Sequence, residues 1–480
     1  MARVLLVNSN LMRPPVAPIG LDYIAGHLDA LGHAVDVLDL CFEEDWEAAV
    51  KTRLSRGPEP HVVGVTLRNT DDCYCASRQS FLAEIAQLAH VLEGAAGNAT
   101  RVLGGVGFSI MPHAVLAQFP GWFGIVGDGE IALAALATAV ERGDGLDSIP
   151  GLVRGPAGDE RRAISPAHSA LPGTAAPRSF IDNARYFREG GQGGFETKRG
   201  CAGRCIYCAD PVAKGRTYRV RSPALVADEV ESLLAQGVDC LHTCDSEFNL
   251  PPDHALAVCQ EFIRRGLGER VRWYAYCSPG AMTAELAQAM RRAGCVGINF
   301  GTDSGCDGML RRLRRDFTAD DIKRVAALCR ASGITSMFDL LLGGPGETRE
   351  TADETIRVMH EIEPDAVGVA IGLRIYPLTE LAGIVAKEGL SRDNANLVGE
   401  VERNEGFARP VFYLSAALGE DYGRELHARL RHDPRFFLGG SADETDYNYN
   451  ANETLENAIK AGARGAYWDI LRRLRVGGTS

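Results

Sequence analysis

Short apolar runs ending in polar or glycine-containing loops alternate with stretches of helical spacing along most of the chain. At the N-terminus, RVLLVNSN reads as a strand that ends in polar residues. APIGLDYIAGHLDALGHAVDVLDL predicts a helix followed by a strand, and HVVGVTLRNTDD a strand followed by a loop. Residues 79–94 have helical spacing, RVLGGVGFSI runs from strand into a glycine-rich turn, and FGIVGDGEIALAALATAV reads as strand, turn and helix. Loops that gather at the C-terminal ends of successive strands describe a doubly wound, Rossmann-like sheet over residues 1–140. Residues 141–185, rich in Gly, Pro, Ala and Arg, read as an exposed linker. From 186 to 385 about six strand–helix units follow, among them PALVADEVESLLAQ (with Pro223 early and Gly237 just past its end), CLHTC, VRWYAYCS, CVGINFGTDSG, ITSMFDLLLGGPGET and AVGVAIGLRIYP. Such alternation predicts a parallel sheet, here a partial (βα)6 TIM-like barrel with its chemistry on the loops at the strands' C-terminal ends. Residues 386–480 read as a mostly helical tail, carried by ALGEDYGRELHARLRH and ETLENAIKAGARGAYWDILRRLR.

Composition narrows the function classes. The 480 residues are 45% hydrophobic and 24% charged, with a net charge of −12. That charge argues against a protein that holds long nucleic acid by neutralising phosphates. MARVLLVNSN has no signal-peptide layout and no uninterrupted apolar stretch is long enough to span a bilayer, so a cytoplasmic protein with no membrane partner is expected. Thirteen cysteines, an odd number without a secretory signal, are not a disulfide framework. Cys41, Cys240, Cys259, Cys295 and Cys329 lie in apolar runs and read as small buried hydrophobes.

One group of cysteines differs. ETKRGCAGRCIYCADP places Cys201, Cys205 and Cys208 at C-x3-C-x2-C spacing. Thiolates this close can wrap a metal centre within one loop. A structural zinc site wants four ligands, and no fourth Cys or His lies nearby. Three ligands with one open position suit a four-iron cluster. Gly200 and Gly203 allow a tight bend, and Lys198, Arg199 and Arg204 supply positive charge.

With Tyr207 before its last cysteine, this loop resembles the cluster loop of the radical S-adenosylmethionine (SAM) superfamily. The resemblance covers roughly residues 190–385. It implies a [4Fe-4S] cluster whose open iron chelates the amino and carboxylate groups of SAM, with Tyr207 near the adenine. It places Asp245 and Glu247 at the cofactor's aminoacyl end, Tyr274 and Tyr276 on the next strand end, and Asp303 near the ribose. Gly343 and Gly344 fall near adenine and methionine. Arg374, with a catalytic role, and Tyr376, facing the substrate, fall at the end of the sixth strand.

The N-terminal segment resembles the cobalamin-binding domain that precedes the barrel in one subgroup of that superfamily. The matching residues are Asn8, Gly20, Arg68, Asn69, Gly104, Gly105, Gly107, Phe108, Gly127, Gly129 and Glu130, with Asp128 where the subgroup often has Glu. GGVGF lacks the third glycine of a dinucleotide fingerprint. The D-x-H-x-x-G motif that ligates cobalt from below is absent, and Arg68 is expected to cover the lower cobalt face. The resemblance implies a cobalamin-dependent methyltransferase that methylates a carbon of a small, amino-acid-like or natural-product substrate. In such enzymes a reduced cluster splits SAM, the resulting radical abstracts hydrogen, methylcobalamin delivers the methyl group, and an external flavodoxin- or ferredoxin-type donor supplies electrons. Polar methyl transfer to an electron-rich ring, and a rearrangement, ring contraction or cyclisation without methylation, remain open alternatives. An RNA-modifying methylthiotransferase would carry a second cluster and a basic C-terminal domain, and neither is visible. Tyr447, Tyr449, Tyr467 and Trp468 in the tail are expected to close the barrel mouth, with Tyr447, Tyr449 and Trp468 reaching the substrate.

Overall fold

The computed structural model describes residues 1–154, 171, 178–439 and 448–477. The first sheet contains β1 (Arg3–Asn8), β2 (Ala34–Asp39), β3 (Val62–Thr66), β4 (Thr100–Gly104), β5 (Phe123–Ile125) and β6 (Leu152–Arg154), in the order β2-β1-β3-β4-β5-β6. β1 to β5 are parallel, with Val4 opposite Val35 on one side and Val62 on the other. Alternate residues of β1 serve two cores. Val4 and Leu6 pack with Leu21, Leu28 and Leu133 of the helices Ile19–Ala30 and Gly129–Arg142. Leu5 and Val7 pack with Leu82, Leu88 and Leu92 of the helix Leu82–Ala95. The sheet is therefore doubly wound, and its order reverses between β1 and β3, which places a ligand crevice at their C-terminal ends.

The second sheet is built from β7 (Gly193–Phe195), β10 (Cys240–Thr243), β11 (Arg272–Cys277), β12 (Cys295–Asp303), β13 (Thr335–Leu342) and β14 (Ala366–Ile371). Between β7 and β10 lies an antiparallel pair, β8 (Lys198–Arg199) and β9 (Arg219–Val220). Beyond β14 come β15 (Leu373–Arg374), β16 (Leu397–Gly399), β17 (Val411–Tyr413) and β18 (Phe436–Leu438). The sheet runs β18-β14-β13-β12-β11-β10-β7, every pairing parallel, with β7 and β18 at its two edges. One face, with Leu241, Trp273, Ile298, Phe300 and Phe338, packs under the outer helices. The other, with Cys240, Tyr274, Met337, Ala366 and Phe437, is closed by Trp468, Ile470 and Leu471 of the helix Tyr467–Val476. Thr318 and Thr348 each form a capping box at the helix that follows them, and each such cap is worth about 1 kcal/mol.

The α/β class, the doubly wound first half and the partial barrel agree with the sequence reading. The tail is helical at Tyr422–Leu430, Glu453–Lys460 and Tyr467–Val476, but it also supplies β18 to the barrel and β16 and β17 to a small sheet with β15. These strands have two or three residues and are too short to show a period. The stretch read as linker is structured at both ends: β6 pairs antiparallel with β5, and Arg178 is fully buried. The sixth strand stops before LRIYP. Gly372 turns the chain at φ +89°, where a Cβ would stand 3.0 Å from that of Cys75, and β15 leaves the barrel.

The two sheets are bolted together by buried charge. Arg178 donates to Asp22 (2.8 Å) and Glu229 (2.6 Å), Tyr23 donates to Glu229 (2.7 Å), and Arg221 also pairs with Glu229. Asp22 and Tyr23 belong to the first half and Glu229 to the helix Pro223–Ala235 of the second.

Candidate active site

A cavity of about 870 Å³ lies where the C-terminal ends of the two sheets meet. The first half lines it with Asn8, Gly20, Arg68, Asn69, Gly104, Gly105, Gly127, Gly129 and Glu130. The barrel and tail contribute Gln192, His242, Cys244, Tyr276, Tyr449 and Trp468. A Cβ at Gly20 or Gly104 would meet nothing within 4 Å, so these glycines leave open space along the wall. At Gly105 (φ +99°) a Cβ would lie 2.5 Å from the Leu67 carbonyl, so only glycine lets this turn touch the loop bearing Arg68. The Gly107 amide bonds the Leu67 and Arg68 carbonyls and fixes that loop from beneath. Arg68 is exposed to the cavity, where its Nη1 is 3.8 Å from the Met12 sulfur. It does not pair with its neighbouring carboxylates: Asp71 holds Arg374, and Asp72 accepts from Ser77 and Asn448. No histidine of the first half lines the cavity, as the missing D-x-H-x-x-G motif implies. Open glycine walls, the orphaned Oε1 of Gln192 and Nε1 of Trp468, and a lone guanidinium fit a large, polar-edged cofactor such as cobalamin.

The cysteine loop stands on the β8–β9 pair. The Cys201 amide bonds the Gly215 carbonyl, and the Gly203 amide approaches the Cys201 Sγ at 3.4 Å. A Cβ at Gly203 would stand 3.2 Å from the Cys201 Sγ and 3.9 Å from the Cys205 Sγ, so the thiols converge around a residue that must be small. Among the described residues no three His, Cys, Asp or Glu side chains are set to hold a single metal ion. The donor set, three free thiols on one short loop with two of them converging on Gly203, fits three corners of a larger cluster. Burial pushes the Cys205 thiol up to about 11, an effect the Arg315 guanidinium opposes. Metal must therefore displace the protons when the loop is charged.

Several residues expected at the cofactors have other work. Lys198 and Arg199 do not face the cluster as free cations: Lys198 binds Asp245, and Arg199 is held by Glu130 (2.7 Å) and Glu196 (2.9 Å). Asp245 is consumed as well, accepting from Thr197 N, Thr197 Oγ1 and Lys198 Nζ. Glu130 lines the cavity, yet its carboxylate is spent on this cross-domain pair. Phe108 is buried in the first core under Gly124. The Gly343 and Gly344 amides both donate to Glu347, so the glycine-rich loop is stapled to itself. Arg374 is not placed for catalysis. It is buried, ion-paired with Asp71 at 2.9 Å, and bonded to the Ile375 and Phe407 carbonyls. Tyr376 bonds the Cys73 thiol at 2.9 Å and stacks on Arg374, away from the cavity. Tyr207 donates to Asp303. Tyr447 lies outside the described residues.

Glu247 is different. Its Oε2 is buried with no hydrogen-bond partner, its Oε1 is 3.7 Å from Arg315, and burial raises its pKa to about 7. It lies close enough to Cys201 to disfavour that thiolate.

Two residues escaped the sequence reading. Arg315 touches Cys205 Sγ at 2.9 Å, bonds the Gly301 carbonyl and faces Asp303 at 3.4 Å. It stands 107 positions past the cluster loop in LRRLRRDF, where nothing separates one arginine from the next. His242 sits in CLHTC, where a single histidine in an apolar run gives no signal.

Comparison with known proteins agrees with this geometry. The model of the B12 binding domain matches residues 12–137 and that of the Radical SAM superfamily residues 195–359. The tryptophan 2-C-methyltransferase of Streptomyces laurentii is 32% identical over 97% of this chain and 95% of its own. The structure of TsrM, a radical SAM methyltransferase from Kitasatospora setae, with tryptophan and a SAM analogue bound, superposes with a TM-score of 0.89 at 31% identity over the whole of both chains. The same enzyme has been seen with cobalamin and a [4Fe-4S] cluster (TM-score 0.85). OxsB, a cobalamin-dependent SAM radical enzyme, shares the fold at 16% identity and a TM-score of 0.70, over 90% of this chain and 67% of its own. The chain belongs to the cobalamin-dependent radical S-adenosylmethionine methyltransferases, enzymes that methylate carbon with a [4Fe-4S] cluster, SAM and cobalamin.

Proposed function

We propose that the substrate is tryptophan or a close indole amino acid, and that the carbon methylated belongs to the indole ring. The observation that carries this reading is one continuous cavity. It joins the Arg68 loop of the first sheet to a barrel interior lined by His242, Tyr276, Tyr449 and Trp468, a flat-walled space suited to an aromatic ring. The full-length similarity to a tryptophan methyltransferase supports it. When bound, the cofactors supply a methyl group on cobalt, replenished from SAM beside the cluster.

The chain's own residues bind and orient. Cys201, Cys205 and Cys208 hold the cluster, and Arg315 donates to one of its thiolates. The Glu247 carboxylate, whose Oε2 has no partner in the protein, would accept from the SAM ammonium. Asn8, Asn69, Gly20, Gly104, Gly105, Gly127 and Gly129 line the space that would hold cobalamin, and Arg68 would place its guanidinium against that cofactor. Tyr276, Tyr449 and Trp468 stack and exclude water around the substrate. Electrons come from a flavodoxin- or ferredoxin-type donor, and the enzyme works in the cytoplasm without nucleic acid or membrane.

The test is anaerobic reconstitution with iron, sulfide and hydroxocobalamin, then incubation with tryptophan and methyl-deuterated SAM. Mass spectrometry should find a labelled methyl group on the indole. Unmodified tryptophan from a protein loaded with both cofactors would overturn the substrate reading.

A further inference from the structure

In β10, Leu241 packs beneath the outer helices, whereas Cys240 belongs to the opposite face, closed by the tail. His242, two positions on from Cys240, follows the strand's period into the barrel interior and lines the cavity. Its ring is fixed between Tyr276, 4.9 Å away, and Tyr274, stacked at 6.4 Å. Its Nδ1 lies 2.7 Å from the Thr243 carbonyl. A carbonyl oxygen can only accept, so Nδ1 carries the proton and Nε2 carries a lone pair. Among the described residues no side chain or backbone group bonds Nε2.

The groups packed around it leave no rival. Cys244 and Tyr276 are each pushed up to about 12 by burial and stay protonated. Burial also raises Tyr449, and Tyr274 donates to Asp469. Asp245 is consumed by Thr197 and Lys198, and Asp339 accepts from Asn299. Of the other carboxylates on the cavity wall, Glu130 and Glu196 are paired with Arg199, Asp128 with Arg219, and Asp72 accepts from the Tyr74 amide and from the Ser77 and Asn448 side chains. Burial lowers the pKa of His242, so the ring is neutral at pH 7.

We propose that His242 is a catalytic residue, whose Nε2 takes the proton displaced from the ring carbon that receives the methyl group. The inference rests on the indole reading above. As the carbon–methyl bond forms, the methyl leaves its donor without the bonding pair, which the donor keeps. The ring's own π electrons make the new bond. The C–H bond then breaks, its electron pair restores the aromatic ring, and the proton goes to Nε2. No oxidant or reductant enters this step.

Five measurements test it. In 15N-histidine-labelled protein, with the resonance assigned by its loss in His242→Asn, Nε2 of the wild type should be unprotonated at pH 7; a protonated Nε2 overturns the proposal. His242→Asn keeps a donor for the Thr243 carbonyl, and His242→Gln serves as a second variant. In protein loaded with both cofactors, both should still bind tryptophan in equilibrium dialysis, with a loss of affinity far smaller than the loss of rate, and slow single-turnover methylation roughly 10²-fold, the usual worth of a positioned base. Deuterium at the methylated carbon should slow the variants more than the wild type, and added imidazole should restore part of the rate. Wild-type rates and isotope effects in both variants overturn the proposal. Failure of the wild type to bind tryptophan overturns the substrate reading, and this inference with it.

Discussion

At the residue scale, the decisive property is whether a polar side chain is already satisfied. Arg68 and Arg374 are both arginines flanking the same loop, yet one opens on the cavity and the other is enclosed by a carboxylate and carbonyls. Replacing Arg68 by alanine should leave the fold intact. It should also slow methyl transfer by about tenfold, the effect of ~1.4 kcal/mol on a barrier; cobalamin titration and transfer rates check this, and unchanged values remove the role. Replacing Arg374 should instead destabilise the fold. Removing one partner of a buried pair costs about 3–5 kcal/mol, and urea denaturation of Arg374→Met should show a loss of that size. Glu347 offers a pH test. Burial raises its pKa from 4.5 to about 7, against the opposing bonds from the Gly343 and Gly344 amides. Between those values the folded state holds a proton that the unfolded state has released, so stability falls as pH rises from about 4.5 through 7. Glu347→Gln keeps the acceptor oxygen, and its Tm should vary less with pH than that of the wild type across this window.

At the scale of elements, long periodic segments were legible and short ones were not. The helices Ala319–Ser332 and Arg349–Ile362 carry both amphipathic spacing and capping boxes, so local signals agree. β18 has three residues and pairs with β14 about 70 positions away, so no local period could reveal it. The same contact closes the barrel edge with the tail. Trp468, in T-shaped contact with Tyr274 at 6.0 Å, forms part of the cavity's floor. Trp468→Ala should cost about 3–5 kcal/mol in denaturant, and it should weaken substrate binding more than cluster assembly, as iron content and dialysis would show.

At the scale of the whole molecule, the cofactor halves meet through charge. Arg199, two positions before Cys201, pairs with Glu130 of the first half, so the cysteine loop and the glycine-lined cavity wall share one carboxylate. Arg199→Met leaves Glu130 and Glu196 buried without their cation. Calorimetry should then show a lower Tm, and iron retention after reconstitution should fall; an unchanged Tm would mean the pair carries no load.

The sequence by itself brought Cys201, Cys205 and Cys208 together, because three cysteines within eight residues must share one loop however the rest folds. It also determined the two α/β halves, because strand and helix periods are local properties. Only the tertiary structure decided which of the many polar residues at strand ends are free. Asp245, Glu130 and Arg374 are consumed by partners 47, 69 and 303 positions away, while Glu247 keeps a buried oxygen without a hydrogen-bond partner and Arg68 and His242 line the cavity. Pairing depends on distance in space, and a linear pattern does not carry that information.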